Sequence, residues 1–132
     1  MIDRFEMIPL LVEACPSFEP AWQEFCAEWA NESEPPCYIA IGEFARHLAT
    51  VLADGNDEVL RQVFEVVERL ILEGDPYVQG AAIVGLIQDL QNSHLHSGTK
   101  PEQYLTYLLP QSRQWWAKVG AFRSEGRLLT DD

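Results

Sequence analysis

Between Asn56 and Asn92 the apolar positions recur with a helical period, stop once, and resume. Leu60, Val63, Phe64, Val67, Leu70 and Ile71 follow one another at steps of three and four, which places them on a single stripe of a helix with 3.6 residues per turn. Gly74 predicts a left-handed stop, Asp75 a carboxylate cap, and Pro76 the first position of a second helix, where a missing N–H costs nothing. That second helix carries Val78, Ala81, Ala82, Gly85 and Leu86 on one face, with Val84, Ile87 and Leu90 beside it. Being apolar around most of its circumference, it is expected to be the most buried, and Gly85 is expected on the close face of the hairpin.

The rest of the chain reads as further helices around this hairpin. Asp3 and Glu6 have the spacing of a capping box, and Phe5, Ile8, Leu11 and Val12 form the apolar face that follows; Pro9 inside it predicts a later start or a kink. A second helix is expected over 17–31, with Phe18, Trp22, Phe25 and Trp29 as an aromatic seam for the core. Consecutive prolines make 32–37 a loop, and a third helix follows over 38–53 with Tyr38, Ile41, Phe44, Ala45, Leu48 and Leu52 inward. Asp54, Gly55, Asn56 and Asp57 form a turn with a fresh cap. After Asn92 the polar stretch 93–100 predicts the longest loop, Pro101 a short helix with Tyr104, Leu105 and Leu108 inward, and Pro110 a last helix covering the core with Val119, Phe122 and one of the adjacent Trp115 and Trp116. The tail after about residue 124 is expected to fray.

These elements predict an all-α fold, a compact array of six to seven helices in one domain spanning 1–132. The pairs 17–54 and 56–92 each occupy nearly forty residues, the period of stacked helical hairpins that bury their stripes against one another. The second pair resembles a HEAT-type repeat, with Gln79 where such a repeat carries arginine.

Charge changes the picture more than composition does. The chain of 132 residues has a formal net charge of −12, and no apolar run approaches the roughly 20 residues of a membrane helix. The first 75 residues hold 16 acidic and 4 basic side chains, the remainder 5 of each. Such a surface repels nucleic acid and anionic membrane, and it either serves solubility alone or speeds encounter with a basic partner. The start of the chain lacks the basic and apolar regions of a secretory signal, so a cytoplasmic location is expected. Glu24, Glu28 and Glu32 form a ladder at steps of four along the second helix, with no basic residue near in sequence, which reads either as a solvated face or as a contact surface for positive charge; Asp54, Asp57 and Glu58 cluster at the later corner. Asp57 with Arg61 and Glu65 with Arg69 have the spacing of surface ion pairs.

Candidate chemistry is sparse. Glu43 and His47, four apart on the third helix, have the spacing of an acid/base pair and equally of an ordinary exposed pair, with no nucleophile or third ligand at a matching spacing. His94 and His96 could ligate a metal from one extended strand, but two ligands are not a site and a solvated loop is the expectation, and the evenly spaced Cys15, Cys26 and Cys37 read as reduced thiols packed as small apolar groups. No catalytic residue, metal site or cofactor is assigned, and the expectation is a protein without enzymatic activity.

The runs ERLILEGDPYVQGAAIVGLIQDLQN (68–92), LLPQSRQWW (108–116) and PSFEPAW (16–22) together resemble a family of small, uncharacterised bacterial all-helical proteins. The resemblance implies a role as an immunity protein neutralising a cognate toxin. A basic toxin domain is then the expected partner, met by Glu24, Glu28, Glu32, Asp54, Asp57 and Glu58, with Trp116 at a groove edge or interface. The alternative is a helical scaffold or adaptor that holds a peptide or another subunit.

Overall fold

The computed structural model describes residues 1–125 and is helical throughout its framework. Six helices are numbered here in chain order: α1 (Arg4–Ala14), α2 (Glu19–Glu28), α3 (Cys37–Ala53), α4 (Asp57–Glu73), α5 (76–90) and α6 (Pro110–Glu125). Short 3-10 turns at Pro16–Phe18, Ser93–Leu95 and Pro101–Tyr107 complete the chain. No helix among the described residues is long and apolar enough to cross a membrane. The expected tail begins inside α6, which extends through Glu125, and 126–132 lie outside the described residues.

The hairpin α4/α5 is the centre of the packing. All six stripe residues of α4 are buried, and α5 buries Val78, Ala81, Ala82, Ile83, Leu86, Ile87 and Leu90. The Asp75 carboxylate accepts from the Val78 N–H at 2.9 Å, so the corner is capped as the sequence predicts. Gly74 is a correction: it is extended, at φ −72° and ψ 152°, and not left-handed. A side chain is excluded there because a Cβ would collide with the Leu70 carbonyl and come within 2.6 Å of Val78 Cγ1. The segment before α1 passes the same point: Ile2 donates to the Glu73 carbonyl at 2.8 Å and accepts from the Asp75 N–H at 2.9 Å. Left-handed glycines among the described residues are Gly55, at φ +73°, which closes α3, and Gly98, at φ +78°, in the segment after α5.

Within α5 the middle turns, Ala81–Ile87, widen to π-type hydrogen bonding between α-helical ends, Pro76–Gly80 and Gln88–Leu90. Gly85 lies in this wide segment on a close-packed face, but its neighbours belong to α3 and not to α4. A Cβ would stand 3.3 Å from Ile41 and from the Tyr38 ring. Tyr38, expected inward, is accordingly displaced to the edge and is 45% exposed, its ring edge-on to Tyr77.

Helix α1 forms through Pro9 from an intact capping box: Asp3 Oδ1 accepts from Phe5 and Glu6, and Glu6 Oε1 accepts from the Asp3 N–H at 3.1 Å. Pro9 is accommodated because it faces solvent, so the carbonyl four residues earlier, that of Phe5, loses its helical partner on the wet side. Phe5 shares that face and is 67% exposed, which corrects its place in the core; Met7 and Ala14 join Ile8, Leu11 and Val12 instead. It is α1, packed on α4, that occupies the place beside the central hairpin. Helix α2 is the outlying element: its backbone comes close chiefly to the turn that precedes it, because large rings fill the space beneath.

The segment 93–109 is built from clasps rather than from a free loop and a helix. His96 joins the Thr99 hydroxyl at 2.7 Å and the Leu90 carbonyl at 3.0 Å, and the 3-10 turn Pro101–Tyr107 buries Tyr104 against Phe64, His96 and Trp116 while leaving Leu105 exposed. Phe122, expected to cover the core end, is also exposed. The anchor of α6 is Glu68: its two carboxylate oxygens accept from the N–H groups of Gln111 at 2.8 Å and Ser112 at 2.9 Å, the first turn of α6.

Candidate protein-binding surface

Helix α2 divides its aromatic residues between core and surface. Phe18 and Phe25 are buried, and Phe18 meets Phe44 edge-on at 5.1 Å. Trp22 and Trp29 are only half-buried, which corrects their assignment to the core. The rings of Trp22 and Phe25 lie nearly parallel at 5.5 Å, and Trp29 follows at 6.2 Å from Phe25. These rings form one side of an open groove of about 270 Å³, closed on the other sides by Phe5, Pro35 and Cys37. Arg4 stands at its rim with its charge engaged: the guanidinium pairs with Glu34 at 3.2 Å and lies over the Tyr77 ring at 4.8 Å.

On the outward side of α2, Glu24 and Glu28 are exposed, and Glu32 is exposed just beyond its end at the mouth of the aromatic groove. The fold brings Arg46 and His47 of α3 to a second, shallow groove of about 290 Å³ with Glu24, Glu28 and Glu43. Among the described residues no ion pair or hydrogen bond closes on the carboxylates of Glu24, Glu28 or Glu32, although Arg46 lines the same groove as Glu24 and Glu28. The ion pairs that do form use Glu34 with Arg4 and Glu73 with Arg69; the Glu65 and Asp57 pairs expected from helical spacing are not made. Asp57 instead accepts a hydrogen bond from the Tyr107 hydroxyl, which raises the pKa of that phenol.

His47 does not bond Glu43. Its Nε2 meets the Ser17 hydroxyl at 2.7 Å, its ring tilts against Phe18 at 5.5 Å, and desolvation lowers its pKa. The residue therefore ties the turn that precedes α2 to α3. Cys15 and Cys37 are buried, but Cys26 is exposed on the groove wall, a correction to its place as a packed thiol. Desolvation first and the Glu19 carboxylate second raise its pKa, which makes it a weak nucleophile at neutral pH. No cluster of three or more metal-ligating side chains occurs among the described residues.

The predicted contact residues do not form one patch. Glu24 and Glu28 lie on α2 beside the middle of α3, with Glu43, Arg46 and His47, and Glu32 lies past the end of α2 near the start of α3. Asp54, Asp57 and Glu58 are exposed at the opposite end of α3, which at 17 residues is roughly 25 Å long. Trp116 belongs to a third region: half-buried on α6, it packs edge-on to Tyr104 at 6.1 Å and lines a groove with Gln91, Lys100 and Arg123. What sequence reasoning missed is the aromatic groove itself; Phe5 on the Pro9 face of α1 was the available signal for it.

No curated protein and no solved structure is significantly similar to the chain. A family model described as a domain of unknown function, DUF7674, matches residues 8–123, from the middle of α1 into the last turns of α6. With nearly the whole helical body inside that match, the chain belongs to the DUF7674 family.

Proposed function

We propose that this chain is a non-enzymatic protein-binding module that takes a basic partner along α2, and that the partner is a toxin domain it neutralises. The observation that carries the reading is Glu24 and Glu28, exposed one turn apart on α2, with Glu32 exposed just beyond its end and none of the three in an ion pair among the described residues. Glu24 and Glu28 repel one another at this spacing, which costs a little stability in the free chain, and positive charge from outside would relieve it. A net charge of −12 adds long-range attraction and hence fast, salt-sensitive association. The toxin as partner rests on the sequence resemblance; the basic character of the partner rests on the surface.

The test is Glu24→Lys combined with Glu28→Lys. Both positions are exposed, so the fold is retained, as circular dichroism will show. The double variant loses protection when co-expressed with the cognate toxin that this reading requires, and full protection refutes the assignment of this face. A second reading, an adaptor that holds a peptide at the Trp116 groove, is favoured by the half-buried ring there, in a lining of mixed charge with Lys100, Glu102 and Arg123. It predicts binding that is little affected by salt and is abolished by Trp116→Ala.

A further inference from the structure

The aromatic groove beside α2 takes its rings from two helices. Trp22, Phe25 and Trp29 follow one another along α2 with centroids 5.5 and 6.2 Å apart, and Phe5 of α1 lines the same opening. Phe25 is buried, but the two tryptophans are half-buried and Phe5 is exposed, so ring surface remains open to a ligand. At about 270 Å³ the groove falls below the roughly 300–1,000 Å³ of pockets for drug-sized molecules. It has room for a small head group on a short stem.

The residues that border this groove select a cation. An aromatic ring is negative on its face and attracts a cation within about 6 Å of its centroid, and rings this closely spaced bring one cation within reach of several. The fold already uses the effect at the rim, where the Arg4 guanidinium lies 4.8 Å from the centroid of Tyr77 and 5.9 Å from that of Phe5. Arg4 is paired with Glu34 at 3.2 Å, and among the described residues no ion pair closes on Glu32, the carboxylate of the lining. Glu19 adds to the negative field, being close enough to Cys26 on the α2 wall for its charge to help raise that thiol's pKa.

Hydration decides which cation. A primary ammonium is strongly hydrated and brings three N–H donors, and beyond Glu32 the side chains of the lining offer it no carboxylate, amide or hydroxyl. A quaternary ammonium has no N–H to satisfy and presents methyl groups to the rings, so an apolar wall costs it little. The same lack of amide and hydroxyl side chains leaves nothing in the lining to hold the backbone of a peptide, which favours a free small molecule over a modified protein. We propose that the groove binds a small quaternary ammonium compound of the choline type, its methyl groups among Phe5, Trp22, Phe25 and Trp29 and its charge towards Glu32. The site is independent of the basic-partner reading, because Glu24 and Glu28 border the other groove of α2.

The experiment titrates choline into the isotope-labelled full chain and follows the tryptophan indole N–H signals by nuclear magnetic resonance. Choline shifts Trp22 and Trp29 and leaves Trp115 and Trp116 in place, with a Kd in the millimolar range expected of so small a ligand. The uncharged isostere with carbon in place of the nitrogen, and the primary amine ethanolamine, each bind about tenfold or more weakly. Glu32→Gln, at an exposed position, and Phe5→Leu, which keeps an apolar side chain without a ring, each weaken choline about threefold or more with unchanged circular dichroism.

Equal affinity for choline and its uncharged isostere overturns the proposal, because the rings would then be taking an apolar group without regard to charge. Absence of shifts at Trp22 and Trp29 across the millimolar range overturns the groove as the site. A trimethyl-lysine peptide that binds about tenfold or more tightly than choline assigns the groove to a modified protein, which also overturns the proposal. Co-expression with the toxin decides the basic partner separately.

Discussion

Glu68 is the most exposing point of the fold to perturbation, because one carboxylate holds the start of a whole helix. The first N–H groups of a helix have no intrahelical acceptor, and in α6 two of them, from Gln111 and Ser112, point at Glu68 at 2.8 and 2.9 Å from a position more than forty residues earlier in the chain. Loss of an N-terminal cap costs about 0.5–2 kcal/mol, and loss of a negative charge at the positive end of the helix dipole about 0.3–1 kcal/mol more. Glu68→Ala should therefore destabilise the chain by about 1–3 kcal/mol. Local compensation is limited, since the Ser112 hydroxyl is already engaged with both the N–H and the carbonyl of Leu109. The assay is urea unfolding followed by far-ultraviolet circular dichroism, with Trp115 and Trp116 on α6 as fluorescent reporters of the same transition. Glu68→Gln, which keeps an acceptor oxygen and loses the charge, should fall between the native chain and Glu68→Ala. A midpoint for Glu68→Ala within error of the native value, at unchanged slope, would refute the reasoning.

Three further outcomes follow from the packing. Gly85→Leu places a branched side chain where even a Cβ stands 3.3 Å from Ile41 and Tyr38, and should cost roughly 1–3 kcal/mol in thermal unfolding; an unchanged melting temperature would mean the α3/α5 contact is wrongly placed. Gly74→Ala should destabilise comparably although its backbone angles suit alanine, because the new methyl meets Leu70 and Val78 and disturbs the Ile2 bridge; a stabilised variant, the usual result at a compatible extended site, would show that the bridge is not formed. His47 has a folded pKa below 6.5, so the unfolded chain takes up its proton first, and its contribution to stability is present above that value and lost as pH falls through the folded pKa. The fall in stability between about pH 7.5 and pH 5 should be smaller in His47→Gln than in the native chain, as unfolding midpoints measured across that range will show.

The lesson of the charged surface is one of position. Helical spacing alone pairs Glu65 with Arg69, yet Arg69 turns the other way, to Glu73 at 3.3 Å. Spacing identifies which carboxylates can be reached from the same helix, and exposed pairs of this kind differ by only tenths of a kcal/mol, so neighbouring context decides between them. The glutamate row on α2 escapes this ambiguity because its own helix carries no cation to choose from.

By itself the sequence determined the all-α class, the α4/α5 hairpin with its Asp75 cap and Pro76 start, the capping box at Asp3, the glycine turn at Gly55 and the acidic row on α2. Each of these is a local property, set by periodicity, capping chemistry or backbone freedom within a few residues. Tertiary structure decided the rest: that Gly74 is extended because Ile2 passes beside it, that Gly85 faces α3, that Glu68 caps α6, and that Phe5, Trp22 and Trp29 line a groove instead of filling the core. Those outcomes depend on which segments distant in the chain come to lie side by side. A helical stripe specifies that a face is buried or aromatic, but the size of the rings on α2 and the solvent-facing proline of α1 settle how closely the helices approach, and so where the surface opens.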